Sequence, residues 1–96
     1  MFKEIEPQKV QEMQEEGAVN VVDIRDENSY SMGHIPNSVS LNDTNVKEYI
    51  ESTDKEKPLV VCCYHGNSSR GAAEYFSQQG FKEVYSMTGG FAAWPA

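Results

Sequence analysis

The feature that most constrains the fold of this chain is a continuous apolar run over residues 59–64, preceded by Pro58. The run has six residues, whereas a helix that spans a membrane needs about 20. A short strand that is apolar at every position is typical of a parallel sheet, because helices cover both faces of such a sheet. The run therefore predicts a central, fully buried strand in an α/β fold.

Strand-like and helix-like segments alternate along the rest of the chain, and Gly and Pro residues separate them. One predicted strand ends at Ile5, and the others cover residues 19–24, 38–41, 59–63 and 83–87. The predicted helices cover residues 7–16, 27–32, 68–79 and 91–94, and one more begins at Asn45, which resembles a capping box with Glu48. Alternation at about 20-residue intervals predicts a mostly parallel sheet with right-handed crossovers. A chain of 96 residues fits one domain, residues 1–96.

Charge and cysteine usage exclude several classes of protein. The 15 acidic and 8 basic residues give a net charge of −7, which argues against nucleic-acid binding because phosphate contacts need a clustered basic surface. The N-terminal residues lack the apolar segment of a signal peptide, and no membrane partner is expected. The two cysteines, Cys62 and Cys63, are adjacent and would bridge only through a strained ring. Two free thiols predict a cytoplasmic protein.

Cys63 stands where a parallel α/β sheet usually binds its ligand, beyond the carboxyl end of a buried strand. A polar loop follows, and the next helix begins near Ser68 or Ser69. Gly66 and Asn67 tolerate the positive φ angle that would turn loop N–H groups inward, next to the partial positive charge of the helix N-terminus. Such surroundings lower a thiol pKa, so Cys63 is predicted to be a nucleophilic thiolate. Cys62 is predicted to be a core residue.

The spacing of the loop distinguishes among thiol chemistries. Cysteine phosphatases need an arginine after five intervening residues, but six residues separate Cys63 from Arg70. A small sulfur-centred ligand therefore fits better than phosphate. Adjacent cysteines also lack the usual spacing of metal ligands, so no metal is expected on Cys62, Cys63, His34 or His65.

Three segments in register resemble the rhodanese family. They are residues 21–26 together with 33–38, residues 63–69, and residues 85–94. The resemblance implies a rhodanese-like three-layer fold, with about five mostly parallel strands between helices. It also implies a sulfurtransferase without a cofactor, in which Cys63 takes sulfane sulfur from thiosulfate, releases sulfite and holds the sulfur as a persulfide. The implied acceptor is cyanide or a dithiol such as thioredoxin.

The resemblance assigns the catalytic residue, and the residue pattern predicts the groups that support it. It makes Cys63 the catalytic residue, because the family's loop sequence follows Cys63 directly. Inward N–H groups from Tyr64 to Ser68 would stabilise the anionic persulfide. The predicted substrate-binding loop consists of Tyr64, His65, Gly66, Asn67, Ser68 and Ser69. Asp23 and Arg25 share one strand face and are predicted to form a supporting ion pair.

Two alternatives stay open at this point. Cys63 could instead relay sulfur that a protein donor supplies, with thiosulfate only a convenient test substrate. It could also serve as a phosphatase-like or redox-sensing thiol. Because the loop has no basic residue except His65, we expect weak thiosulfate binding, with KM near or above the upper end of the common range, about 1 mM.

Overall fold

The computed structural model describes residues 1–95, which form a five-stranded parallel sheet in the order β1-β5-β4-β2-β3. The strands are β1 (Lys3–Ile5), β2 (Asn20–Asp23), β3 (Val39–Ser40), β4 (Leu59–Cys62) and β5 (Val84–Met87). The helices are α1 (Pro7–Glu15), α2 (Glu27–Met32), α3 (Val46–Ser52) and α4 (Ser68–Gln78), and a 3-10 turn covers Phe91–Ala93. No helix within residues 1–95 is long and apolar enough to cross a bilayer.

Strand β4 lies in the centre of the sheet, between β2 and β5, and all four of its residues are buried. Because side chains alternate along a strand, β4 contributes to two separate cores. On one face, Val61 packs with Ala73 and Phe76 of α4. On the other face, Val60 packs with Val10 of α1. The structure thus confirms the predicted three-layer α/β fold with helices on both faces of the sheet.

Local sequence explains where the helices begin. Pro7 occupies the first turn of α1, where its missing N–H costs no hydrogen bond. Asp26 caps α2, because its carboxylate accepts a hydrogen bond from the backbone N–H of Ser29 at 3.1 Å. Asn67 is the N-cap residue of α4, but its side chain does not cap the helix.

Three predicted elements differ from the structure. β3 covers only two residues, and the last helix is a single 3-10 turn. Asn45 does precede α3, but its side chain makes no cap; it accepts from the N–H of Asn42 and donates to the carbonyl of Ser40. The amide of Asn45 therefore fixes the loop before the helix rather than the helix itself.

Candidate active site

The two adjacent cysteines lie on opposite faces of the sheet. Cys62, the last residue of β4, is fully buried in the core beneath α1. Burial raises the pKa of the Cys62 thiol to about 12, and the nearby charge of Asp23 adds to the effect. Cys63 follows the alternation and faces α4, where its Sγ meets backbone N–H groups. Only Cys63 is therefore placed to react.

Backbone donors surround the sulfur of Cys63. The N–H groups of Gly66 and Ser69 lie 3.1 and 3.2 Å from Sγ. Burial alone would raise the pKa of Cys63, but hydrogen bonds from the Ser69 hydroxyl and from the amides of Ser69, Gly66 and His65 outweigh it and lower the pKa. Gly66 adopts φ +87°, as the curled loop requires, whereas Asn67 stays at φ −91°.

The donors differ from those that the sequence predicted. The sequence placed them between Tyr64 and Ser68, but one of the two amides nearest the sulfur belongs to Ser69. The reason is that α4 begins at Ser68, so the free N–H groups of its first turn include that of Ser69. No side chain caps this end of α4, which leaves its amides available to the sulfur.

A turn after β5 binds the start of the cysteine loop through backbone hydrogen bonds. The N–H of Phe91 donates to the carbonyl of Cys63 at 2.7 Å, and the N–H of Ala92 donates to the carbonyl of Tyr64 at 3.0 Å. Gly90, at φ +62°, allows this approach, since a Cβ there would lie 2.4 Å from the Tyr64 backbone and 2.5 Å from the Cys63 oxygen. The turn therefore fixes the start of the cysteine loop.

Asp23 and Arg25 form a buried ion pair beside the loop. The Arg25 Nη2 donates to the Asp23 carboxylate at 2.8 Å and to the Gly33 carbonyl at 2.7 Å. The hydrogen bond to Asp23 raises the pKa of Arg25 further. The guanidinium also lies 4.2 Å from the Phe91 ring centre, in cation–π contact. Its charge is thus already compensated within the protein.

An open cavity gives access to the sulfur. It has a volume of about 370 Å³ and is lined by Ile24, Arg25, Asp26, Cys63, Tyr64, His65, Asn67 and Ser68. The Asp26 carboxylate accepts a hydrogen bond from the Tyr64 hydroxyl at 2.6 Å, which together with Ser29 lowers the pKa of Asp26 to about 2. The rim of the cavity therefore carries an ionised carboxylate.

Arg70 lies outside the cavity. Its guanidinium donates to the Asn67 amide oxygen at 3.0 Å and lies 3.9 Å from the Glu4 carboxylate. In residues 1–95, no group of three His, Cys, Asp or Glu side chains is close enough to share a metal ion.

The sequence-predicted loop residues come together around Cys63, four as cavity lining and two through their amides. Sequence reasoning missed Asp26, Gly90 and Ser86. Asp26 directly follows the segment that holds the ion pair, so its position in the sequence could have indicated that it lies at the site. Nothing in the sequence indicates Ser86, because the contact of its hydroxyl with that of Ser69 joins a strand to a helix distant in sequence.

The thiol of Cys63, whose pKa is lowered, lies below an open cavity and as a thiolate is suited to attack a small electrophile, and the same amides would stabilise an anion formed on the sulfur. The family model "Rhodanese-like domain" matches residues 6–96. The chain belongs to the rhodanese-like family.

Other rhodaneses resemble this chain over nearly its whole length. Thiosulfate sulfurtransferase GlpE of Ectopseudomonas mendocina is 52% identical over 95 residues, which are 99% of this chain and 86% of the relative. The protein of that name from Pseudomonas savastanoi is 50% identical over 99% of this chain and 89% of the relative. The crystal structure of a rhodanese-related protein from Thermoplasma volcanium superposes with a TM-score of 0.81 at 29% identity, covering 97% of this chain and 90% of that one.

Proposed function

We propose that this rhodanese is a thiosulfate sulfurtransferase that works through a persulfide on Cys63. The observation that carries the proposal is the set of N–H groups from Gly66 and Ser69 around a cavity-facing sulfur whose pKa is lowered. The two named relatives, about half identical to this chain, are themselves thiosulfate sulfurtransferases by name.

The first half-reaction loads the cysteine. The Cys63 thiolate attacks the outer sulfur of thiosulfate, the S–S bond of thiosulfate breaks, and sulfite leaves with the bonding electron pair. The product is an anionic persulfide on Cys63. Because this anion replaces the thiolate in the same loop, the N–H groups that hold the thiolate also serve the product.

The second half-reaction unloads it. Cyanide attacks the outer sulfur of the persulfide and leaves as thiocyanate, which restores the Cys63 thiolate. A dithiol protein of the thioredoxin type would attack in the same way and then release hydrosulfide as its own disulfide forms. We propose these acceptors, a single domain over residues 1–96, and a cytoplasmic location consistent with two free cysteines.

Intact-mass measurement after mixing with thiosulfate tests the proposal. One added sulfur, about 32 Da, should appear on the wild-type protein and disappear on brief treatment with cyanide. The adduct should be absent in Cys63→Ser and present in Cys62→Ser, which is the matched control because Cys62 is the adjacent thiol. An adduct that survives in Cys63→Ser, or none on the wild type with any sulfane donor, would contradict the proposal.

A relay fed by a protein donor is the second candidate. The ionised Asp26 at the cavity rim and the compensated charge of Arg25 favour it, since both disfavour a free dianion. Loading from a protein persulfide should then be faster than loading from thiosulfate at equal concentration. The phosphatase alternative is disfavoured because Arg70 lies outside the cavity, beside Glu4. Turnover of a phosphate ester would reverse that preference.

A further inference from the structure

Ser86 is a buried polar residue in a position that packing alone would fill with an apolar side chain. It lies on β5 beside Val61 of β4, and its side chain faces the core beneath α4. Only 1% of the residue is exposed. Burying a hydroxyl is costly unless the hydroxyl forms a hydrogen bond, so the partner of Ser86 indicates why the residue is there.

That partner is the hydroxyl of Ser69, in the first turn of α4. The two Oγ atoms lie 2.7 Å apart, and Ser69 is fully buried. The backbone N–H of Ser69 in turn donates to the Sγ of Cys63 at 3.2 Å. Ser69 therefore links the hydroxyl of Ser86, on β5, to the sulfur of Cys63.

Two hydrogen bonds fix Ser69 at the start of α4. Its hydroxyl contacts the hydroxyl of Ser86, and its N–H is one of the two amides nearest the sulfur. A thiolate has no proton, so it accepts the hydrogen bond from this N–H. Without the hydroxyl of Ser86, the buried hydroxyl of Ser69 loses that partner, and Ser69 must shift to find another. A change at Ser86 therefore affects the hydrogen bond from Ser69 to the sulfur.

We propose that Ser86 is a positioning residue for Cys63, because its hydroxyl fixes Ser69, whose N–H donates to the sulfur. Ser86 does not touch the sulfur, and it acts only through Ser69. The proposal rests on the proposed role of Cys63 as the nucleophile, but it concerns the thiolate before any substrate binds. Its test therefore needs no sulfur donor or acceptor.

The test is the pH dependence of Cys63 alkylation by iodoacetamide, followed by intact mass. Ser86→Ala and Ser69→Ala each remove one side of the same hydroxyl contact, so both should raise the midpoint by about 0.3–0.5 pH unit. The charged and titratable groups that line the cavity together with Cys63 are Arg25 and Asp26 from the β2–α2 connection, and Tyr64 and His65 from its own loop. The variants leave all four unchanged, so differences between midpoints report the hydroxyls alone.

The decisive measurement is the double variant. If Ser86 acts through Ser69, Ser86→Ala should cause no further shift in a Ser69→Ala background. Ser38→Ala is the matched control, since it removes another buried hydroxyl, which donates to the Ile35 carbonyl at 2.6 Å, and it should leave the midpoint unchanged. An unchanged midpoint in Ser86→Ala, an equal shift in both backgrounds, or loss of the fold in Ser86→Ala would overturn the proposal. Failure of persulfide formation would instead overturn the proposed function, whatever the midpoints.

Discussion

At the scale of single residues, the site depends on two neighbouring thiols with opposite properties. Cys62 is enclosed by apolar side chains and its pKa is raised to about 12, whereas hydrogen-bond donors meet the sulfur of Cys63 and its pKa is lowered. The difference arises because successive side chains on a strand point to opposite faces. One position along the backbone thus separates a core residue from the proposed nucleophile.

Cys63 should react as a thiolate below the pH at which free cysteine does. We expect its second-order rate with iodoacetamide to rise with pH to a plateau, with a midpoint below the ordinary thiol pKa of about 8.5. The midpoint is expected to be low because the pKa of Cys63 is lowered and the thiolate is the reactive form. Intact mass should show a single adduct, because Cys62 stays protonated and buried. A midpoint at or above the ordinary value would contradict the hydrogen-bonded arrangement.

Gly90→Ala should severely impair sulfur transfer. The new Cβ would lie 2.4 Å from the Tyr64 backbone at a positive φ, so the turn must move away from the cysteine loop. We expect at least about a 100-fold loss of kcat/KM, since displacements near 1 Å have effects of this size.

Gly71→Ala is the matched control for that loss. Gly71 lies within α4 with open space around its Cβ position, so alanine should leave activity intact and stabilise the protein by about 0.5–1 kcal/mol. Equal activities of the two variants in a steady-state assay would show that the approach at Gly90 is unimportant.

At the scale of secondary-structure elements, the connection from β2 to α2 links the sheet to the rim of the site. Arg25 joins Asp23 of β2 to the carbonyl of Gly33 after α2. Asp26, the next residue, caps α2 and accepts the hydrogen bond from Tyr64. This short connection therefore fixes one wall of the cavity relative to the end of β2.

Asp23→Asn should destabilise the fold strongly. The substitution leaves the Arg25 guanidinium buried without its carboxylate, and breaking a buried pair in this way costs about 3–5 kcal/mol. Urea unfolding followed by circular dichroism measures the loss. The control is Glu12→Gln, which removes an exposed pair with Lys9 at 3.7 Å and should cost under about 0.5 kcal/mol. Similar losses in the two variants would show that Arg25 finds other compensation.

The elements could be predicted from local sequence more fully than the site could. The apolar run of β4 and the Pro7 at the start of α1 act through neighbours in the chain, and both predictions were confirmed. The contacts of Ser86 with Ser69 and of Tyr64 with Asp26 depend on how the elements pack, so the neighbouring sequence does not predict them. The donor at Ser69 was missed for a related reason, since it depends on the exact first residue of α4.

At the scale of the whole molecule, charge opposes the proposed substrate. The net charge is −7, and the cavity rim carries the ionised Asp26 while Arg25 is paired with Asp23. Attraction for a dianion must therefore come from the amides around the sulfur. This arrangement agrees with the weak thiosulfate binding that we expect, with KM at or above about 1 mM.

Added salt should consequently speed the reaction with thiosulfate. Raising ionic strength from about 0.01 to 0.15 M shortens the Debye length from about 30 to 8 Å and screens the repulsion, so kcat/KM should rise several-fold. Steady-state rates at a fixed concentration of a neutral dithiol measure this. Alkylation by iodoacetamide, which is uncharged, is the control and should change little. A fall in kcat/KM with salt would indicate a local positive site that outweighs the net charge.

The placement of Cys62 and Cys63 on opposite sides of β4 has a consequence for the loaded protein. The chain contains no other cysteine, so a persulfide on Cys63 has no internal thiol with which to form a disulfide and expel hydrosulfide. The sheet separates the two sulfurs, so Cys62 would not discharge the proposed persulfide on Cys63. Its sulfur would leave only when an external nucleophile enters the cavity, and the rate of transfer would then depend on the supply of acceptors.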